Sequence, residues 1–167
     1  MSRGAPQIVV MGVSGAGKTT VGIALAERLG LRFEDADALH PAANVAKMAA
    51  GTPLTDADRA PWLQIVGQRI AASPDGIVMA CSALREIYRD QIRAAAPEAV
   101  FVLLTVDEST LTDRVANRPG HFMPASLVHS QLDTLEPLSP GEIGVTVVSR
   151  GGIEATADRA LEALRTS

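Results

Sequence analysis

Gly12-Val13-Ser14-Gly15-Ala16-Gly17-Lys18-Thr19 is a complete G-x-x-x-x-G-K-[ST] run, and its setting decides the fold. Before it stands Gln7-Ile8-Val9-Val10-Met11, a short apolar, β-branched stretch between Pro6 and Gly12 that reads as a buried strand. After it, Val21, Ala24, Leu25 and Leu29 recur at helical spacing, and Gly30 supplies the stop. Strand, loop and helix in that order make a phosphate cradle. Glycines let the backbone wrap close with its N–H groups turned inward, and the helix start adds the positive end of its dipole. Gly12, Val13, Ser14, Gly15, Ala16, Gly17, Lys18, Thr19 and Thr20 are therefore the expected nucleotide contacts. Lys18 is expected to reach the β- and γ-phosphates, and the Thr19 hydroxyl to sit on Mg²⁺.

Further apolar runs alternate with helical patterns along the chain. Leu31 to Asp35 predicts a short strand ending in carboxylates, Gly76 to Cys81 a buried one, Ala99 to Val106 the most apolar, and Ile143 to Val148 the last. Between and after them, helices are predicted over residues 41–50, 55–72, 84–95, 108–117 and 125–135. Thr55 with Asp58 three residues on forms a capping arrangement for the second of these. The C-terminal helix puts Ala157, Ala160, Leu161 and Leu164 on one face. Continuous apolar strands alternating with helices imply a parallel sheet covered on both faces, so the fold class is α/β with five strands.

The 167 residues suit a single domain spanning 1–167, able to bury roughly two-thirds of its unfolded surface without disulfides. Hydrophobic residues at 47% exclude a disordered chain, and aromatics at 3% require an aliphatic core. The net charge of -4, with the basic residues scattered, disfavours a nucleic-acid partner. One cysteine forms no internal disulfide, and no stretch approaches the ~20 apolar residues of a membrane span. A cytoplasmic protein without a membrane or nucleic-acid partner is the expectation.

The phosphate loop alone does not choose among kinase, GTP switch and ATPase. No Asn-Lys-x-Asp segment is present to read guanine. Asp107, closing the run Phe101 to Val106, could serve as a metal-supporting acid, but it is better placed to cap the following helix. The carboxylate that supports Mg²⁺ is then sought at the end of the second strand, in Asp35 or Asp37.

Several blocks resemble one family. They are Gly12 to Thr20; Asp35-Ala36-Asp37-Ala38-Leu39-His40-Pro41; Lys47-Met48; and Gly51-Thr52-Pro53-Leu54-Thr55-Asp56-Ala57-Asp58-Arg59-Ala60-Pro61-Trp62-Leu63. Ala80-Cys81-Ser82-Ala83-Leu84-Arg85, Tyr88-Arg89-Asp90, Arg118-Pro119-Gly120-His121-Phe122-Met123-Pro124, Ser130-Gln131 and Thr134-Leu135-Glu136-Pro137 complete the set. In this order, from residue 8 to about 137, they resemble the gluconokinases, with Ala38 a small departure where many relatives carry another acid. The resemblance implies a P-loop kinase fold like that of shikimate and nucleoside monophosphate kinases. It implies transfer of the ATP γ-phosphoryl to the 6-hydroxyl of D-gluconate, with ATP and Mg²⁺ bound and a homodimeric assembly.

On that reading Asp37 orients the attacking hydroxyl and accepts its proton, while Asp35 supports Mg²⁺ through water. Arg59 and Arg85 grip the sugar-acid carboxylate, because a guanidinium fork binds carboxylate bidentately, with Lys47 as a weaker third. Arg114 and Arg118, four apart on one helix face, belong to a lid over about 114–125 that brings positive charge to the transferring group. With Lys18 and Asp37, Arg118 makes up the expected catalytic set. His40 and His121 are assigned to the substrate, Trp62 to core packing, and Cys81 to a buried thiol behaving as a small hydrophobe. A related kinase with another acceptor, and a nucleotide sensor without catalysis, are the competing readings; Lys18, Thr19, Asp35 and Asp37 argue against the second.

Overall fold

A computed structural model describes residues 4–116 and 125–166. Strand β1 spans Gln7–Met11, β2 Arg32–Asp35, β3 Ile77–Ala80, β4 Val100–Thr105 and β5 Gly144–Val148. All pair in parallel, in the order β2-β3-β1-β4-β5, so the strand that feeds the phosphate loop lies at the centre of the sheet. Helix α1 spans Lys18–Leu29, α2 Ala42–Ala49, α3 Asp56–Ala71, α4 Glu86–Ala95, α5 Glu108–Ala116, α6 Ala125–Thr134 and α7 Ile153–Thr166. The predicted elements are present within a few residues of their expected bounds. A 3₁₀ turn over Ala36–Leu39, after β2, was not expected.

The strands are apolar throughout because both faces of the sheet are covered. Successive side chains alternate between two cores. Val9 and Met11 face a core with Leu63, Val66, Ile70, Ile92, Phe101 and Leu103. Ile8 and Val10 face the other, with Val21, Leu25, Val102, Leu104, Val147 and Ala160. Strand β5 is an edge, so Val148 stays half exposed although its run reads as apolar. The face predicted for the last helix is the one that packs: Ala157 and Ala160 are fully buried, with Leu161 and Leu164 packed beside them.

Three devices set the site. Thr55 and Asp58 form a complete capping box at the start of α3, the Thr55 hydroxyl accepting from the Asp58 amide and the Asp58 carboxylate from the Thr55 amide. Trp62 on α3 is buried as expected, and its indole N–H also donates to the Ala36 carbonyl at 2.8 Å, tying α3 to the turn after β2. Gly22 lets α1 approach β2 closely, since a Cβ there would stand 2.7 Å from the Phe33 ring. Among the described residues no helix is long and apolar enough to cross a membrane.

Candidate active site

The loop between β1 and α1 closes around positive-φ glycines: Gly12 at 147°, Gly15 at 85° and Gly17 at 94°. A Cβ on Gly12 would fall 2.9 Å from the Leu104 carbonyl oxygen, so only glycine lets the chain leave β1 there. The Ala16 amide bonds the Val13 carbonyl at 3.1 Å, and Lys18 Nζ donates to the same oxygen at 3.1 Å across the loop. The loop opens on a cleft of about 720 Å³ whose lining includes Lys18, Thr19, Thr20, Asp35, Asp37, Ser82, Arg114 and Ser149.

Thr19 and Asp35 meet at this cleft, the hydroxyl donating to the carboxylate at 3.2 Å. Asp35 also caps the 3₁₀ turn by accepting from the Asp37 amide at 2.9 Å. Asp37 is open to the cleft, yet partial desolvation raises its pKa above the usual carboxylate value, and the Asp35 charge adds to the rise; Lys18 and His40 oppose it. Beside it, burial lowers the pKa of His40, against the pull of Asp37, and Arg59 lowers it further. The His40 ring stacks on Trp62 with centroids 4.1 Å apart. Asn44 Nδ2 approaches both His40 Nδ1 at 3.2 Å and the Asp58 carbonyl at 3.0 Å. A carbonyl only accepts, so that Asn44 atom is a donor, and His40 carries its ring proton on Nε2.

Arg59 and Arg85 come together at the ring of Tyr88, 5.4 and 5.7 Å from its centroid. Both face the Asp56 carboxylate: Arg85 donates at 3.0 Å, Tyr88 Oη at 2.5 Å, and Arg59 lies 3.8 Å away. The Tyr88 bond, with both arginines helping, holds the Asp56 carboxyl below its usual range. Lys47 is paired with Asp58 at 2.7 Å, where it reinforces the cap of α3. Arg114, on α5, donates to the Gly15 carbonyl at 3.1 Å and to Ser149 Oγ and O at 3.4 and 3.3 Å, so it stands over the phosphate loop. Residues 117–124 of the expected lid, with Arg118 and His121, lie outside the described residues. Asp107 caps α5, accepting from the Thr110 amide at 2.9 Å, and those bonds hold its pKa near 2. Burial pushes the Cys81 thiol up to about 12, so it stays protonated and inert.

Four side chains at the site had no role in the sequence reading: Asp56, Tyr88, Gln131 and Ser149. Gln131, from α6, accepts from the Ser14 amide at 2.7 Å and donates to the Ser14 hydroxyl at 3.3 Å. All but Ser149 lie inside the quoted sequence blocks, so their presence was legible although their partners were not.

A central parallel strand, a phosphate loop at its C-terminal end and an acid-tipped strand two places away define a P-loop kinase fold. A family model described as an AAA domain matches residues 8–138. A gluconokinase from Gluconobacter oxydans (strain 621H) is 53% identical over 77% of this chain and 74% of its own length. The crystal structure of a gluconokinase from Sinorhizobium meliloti 1021 superposes with a TM-score of 0.88 at 46% identity, over 99% of this chain and 94% of that one. Shikimate kinase from Bacteroides thetaiotaomicron shares the fold, with a TM-score of 0.70 at 19% identity over 96% of this chain and 98% of that one. The chain belongs to the gluconokinase family.

Proposed function

We propose that this protein, as a single kinase domain, transfers the γ-phosphoryl group of ATP to the 6-hydroxyl of D-gluconate, giving 6-phospho-D-gluconate and ADP. The observation that carries the reading is a phosphate loop opening on one cleft with Asp35 and Asp37, in a chain of this family; Arg59 and Arg85, which meet at Tyr88, supply the cationic groups. A sugar acid needs a cationic grip at one end and a proton acceptor at the other.

ATP lies with its phosphates on Gly12 to Thr20, and Lys18 moves from the Val13 carbonyl to the β- and γ-oxygens. Thr19 and Asp35 offer hydroxyl and carboxylate oxygens 3.2 Å apart, a hard donor pair that fits a Mg²⁺ ion retaining most of its water. A Mg²⁺ ion held by these two residues would supply positive charge to offset that of the phosphates during transfer. Asp37 holds the 6-hydroxyl in line and takes its proton as the bond to phosphorus forms. Its raised pKa brings it nearer the operating pH of a general base. His40 Nε2–H donates to a sugar hydroxyl, Arg59 and Arg85 hold the carboxylate, and Lys47 steadies α3 through Asp58. Arg114 and Arg118 bring positive charge from the lid, which with His121 covers the acceptor and excludes water so that transfer outruns hydrolysis. The protein works in the cytoplasm as a homodimer.

Coupling product formation to 6-phosphogluconate dehydrogenase tests this directly. Gluconate-dependent signal with ATP and Mg²⁺ is expected; phosphorylation of shikimate or a nucleoside monophosphate in its place would overturn it.

A further inference from the structure

Among the described residues, the largest side chain with no solvent exposure is a charged one, Arg89 on α4. Each nitrogen of its guanidinium donates. Nε and Nη2 fork onto Glu142 at 2.7 and 2.9 Å, Nη2 also reaches the Pro137 carbonyl at 3.3 Å, and Nη1 donates to the Ala83 carbonyl at 2.9 Å. Glu142 is itself 3% exposed and is shared with Arg93 at 2.7 Å. A buried charge is costly to desolvate, and hydrophobic replacements of such pairs are often neutral or better for stability, so stability alone is a weak reason for this one.

The residue it holds is unusual. Among the described residues, Ala83 is the non-glycine with positive φ, at 44°. A side chain in that region costs free energy and persists only where its surroundings over-determine it. Here they do. The Ser82 carbonyl accepts from the Gly12 amide at 3.3 Å, that of Ala83 from Arg89, and that of Leu84 from the Glu136 amide at 2.7 Å. Three consecutive carbonyls are pinned by the phosphate loop, by α4 and by the segment after α6. The turn so fixed lies between Ser82, which lines the cleft, and Arg85 of the arginine pair.

We propose that Arg89 is a positioning residue for the acceptor side of the site: by clamping the Ala83 carbonyl it holds the strained turn that aims Arg85 and Ser82. The proposal rests on the reading of Arg85 as part of the acceptor grip. Arg89 touches neither substrate; it converts the rigidity of the buried Glu142 pair into placement of a surface arginine. Because the strain belongs to the Ala83 side chain, glycine at that position takes the same turn without it and lessens the need for the clamp.

The test is a double-mutant cycle in the full-length protein, read by steady-state kinetics well below the melting temperature of each variant. Arg89→Lys is expected to raise KM for gluconate about 10-fold with KM for ATP unchanged. Ala83→Gly alone leaves both unchanged, and Arg89→Lys with Ala83→Gly recovers much of the lost gluconate affinity. Glu142→Gln, which loosens the same guanidinium at a cost in stability, gives a milder form of the split and is read below its own lowered melting temperature if Arg89→Lys does not fold. A lowered melting temperature with both KM values unchanged, or no recovery from glycine at 83, overturns the proposal. If the wild type makes no 6-phosphogluconate, the acceptor reading fails instead. The clamp is then judged by hydrogen exchange over residues 82–85, which Arg89→Lys accelerates and Ala83→Gly slows again; unchanged exchange sinks it.

Discussion

The Thr19 hydroxyl donates to the Asp35 carboxylate across 3.2 Å, joining the first turn of α1 to the end of β2, although β3 lies between β1 and β2 in the sheet. Two oxygens sixteen residues apart thus face one point beside the phosphate loop. Asp35→Ala is expected to leave metal-free ATP binding in place and to raise the Mg²⁺ concentration needed for half-maximal activity at least tenfold. Titrating Mg²⁺ at saturating ATP and gluconate checks this; an unchanged Mg²⁺ requirement would show that Asp35 does not support the ion.

Asp37 should reveal itself twice. As the proton acceptor, its replacement by Asn lowers kcat by about 10²–10⁴-fold, with ATP affinity retained. Its folded pKa is raised, so the folded state binds its proton more tightly than the unfolded state does. The stability it contributes is present below the unfolded pKa and is lost as pH rises through the folded one. At pH 7 the ionised group is therefore a liability, and Asp37→Asn should melt at a higher temperature than wild type while losing activity. In the pH profile of kcat/KM, Asp35→Asn should shift the acid limb to lower pH, because the Asp35 charge contributes to raising it.

Gly17, at φ 94° and ψ 22°, caps α1 from the left-handed region. Gly17→Ala places a side chain in that conformation at a cost of about 1–3 kcal/mol. Calorimetry should show ATP affinity falling by at least tenfold, since relaxing the strain turns the loop amides away from the phosphates. Unaltered affinity would mean the cradle tolerates another backbone path.

Glu142 gives a stability prediction. Burial alone would raise its pKa, but Arg89, the Ser139 amide and Arg93 outweigh that and hold it near 2. With the folded value below the usual 4.5, its contribution is complete above about 4.5 and drains away as pH falls toward 2. Glu142→Gln should flatten that acid dependence. At pH 7 it should cost about 3–5 kcal/mol in urea unfolding, because Arg89 is left buried without its counter-charge.

The backbone of the fold was readable because its signals are local. Apolar runs and helical spacing set the strands and helices, and the order of glycines in residues 12–17 announces the cradle before any contact is known. Position favours Asp107 as a helix cap over a metal-supporting acid, and its bonds to Ser109 and Thr110 agree. The unread part is pairwise. Nothing in Lys47 says that it will meet Asp58, nor in Asp56 that Arg85 and Tyr88, twenty-nine and thirty-two residues on, will converge on it. The tie from Gln131 to Ser14 spans 117 positions.

By itself, then, the sequence determined the α/β class, the phosphate loop and the types of residue available for the chemistry, because backbone conformation and side-chain periodicity act over a few neighbours. Only the tertiary structure decided how those residues are used. The strand order puts β3 between β1 and β2, the pKa of Asp37 rises chiefly through desolvation, and Arg89 becomes a fully buried charge gripping a strained turn. Desolvation and hydrogen-bond convergence depend on what surrounds a group in three dimensions, and no spacing along the chain encodes that.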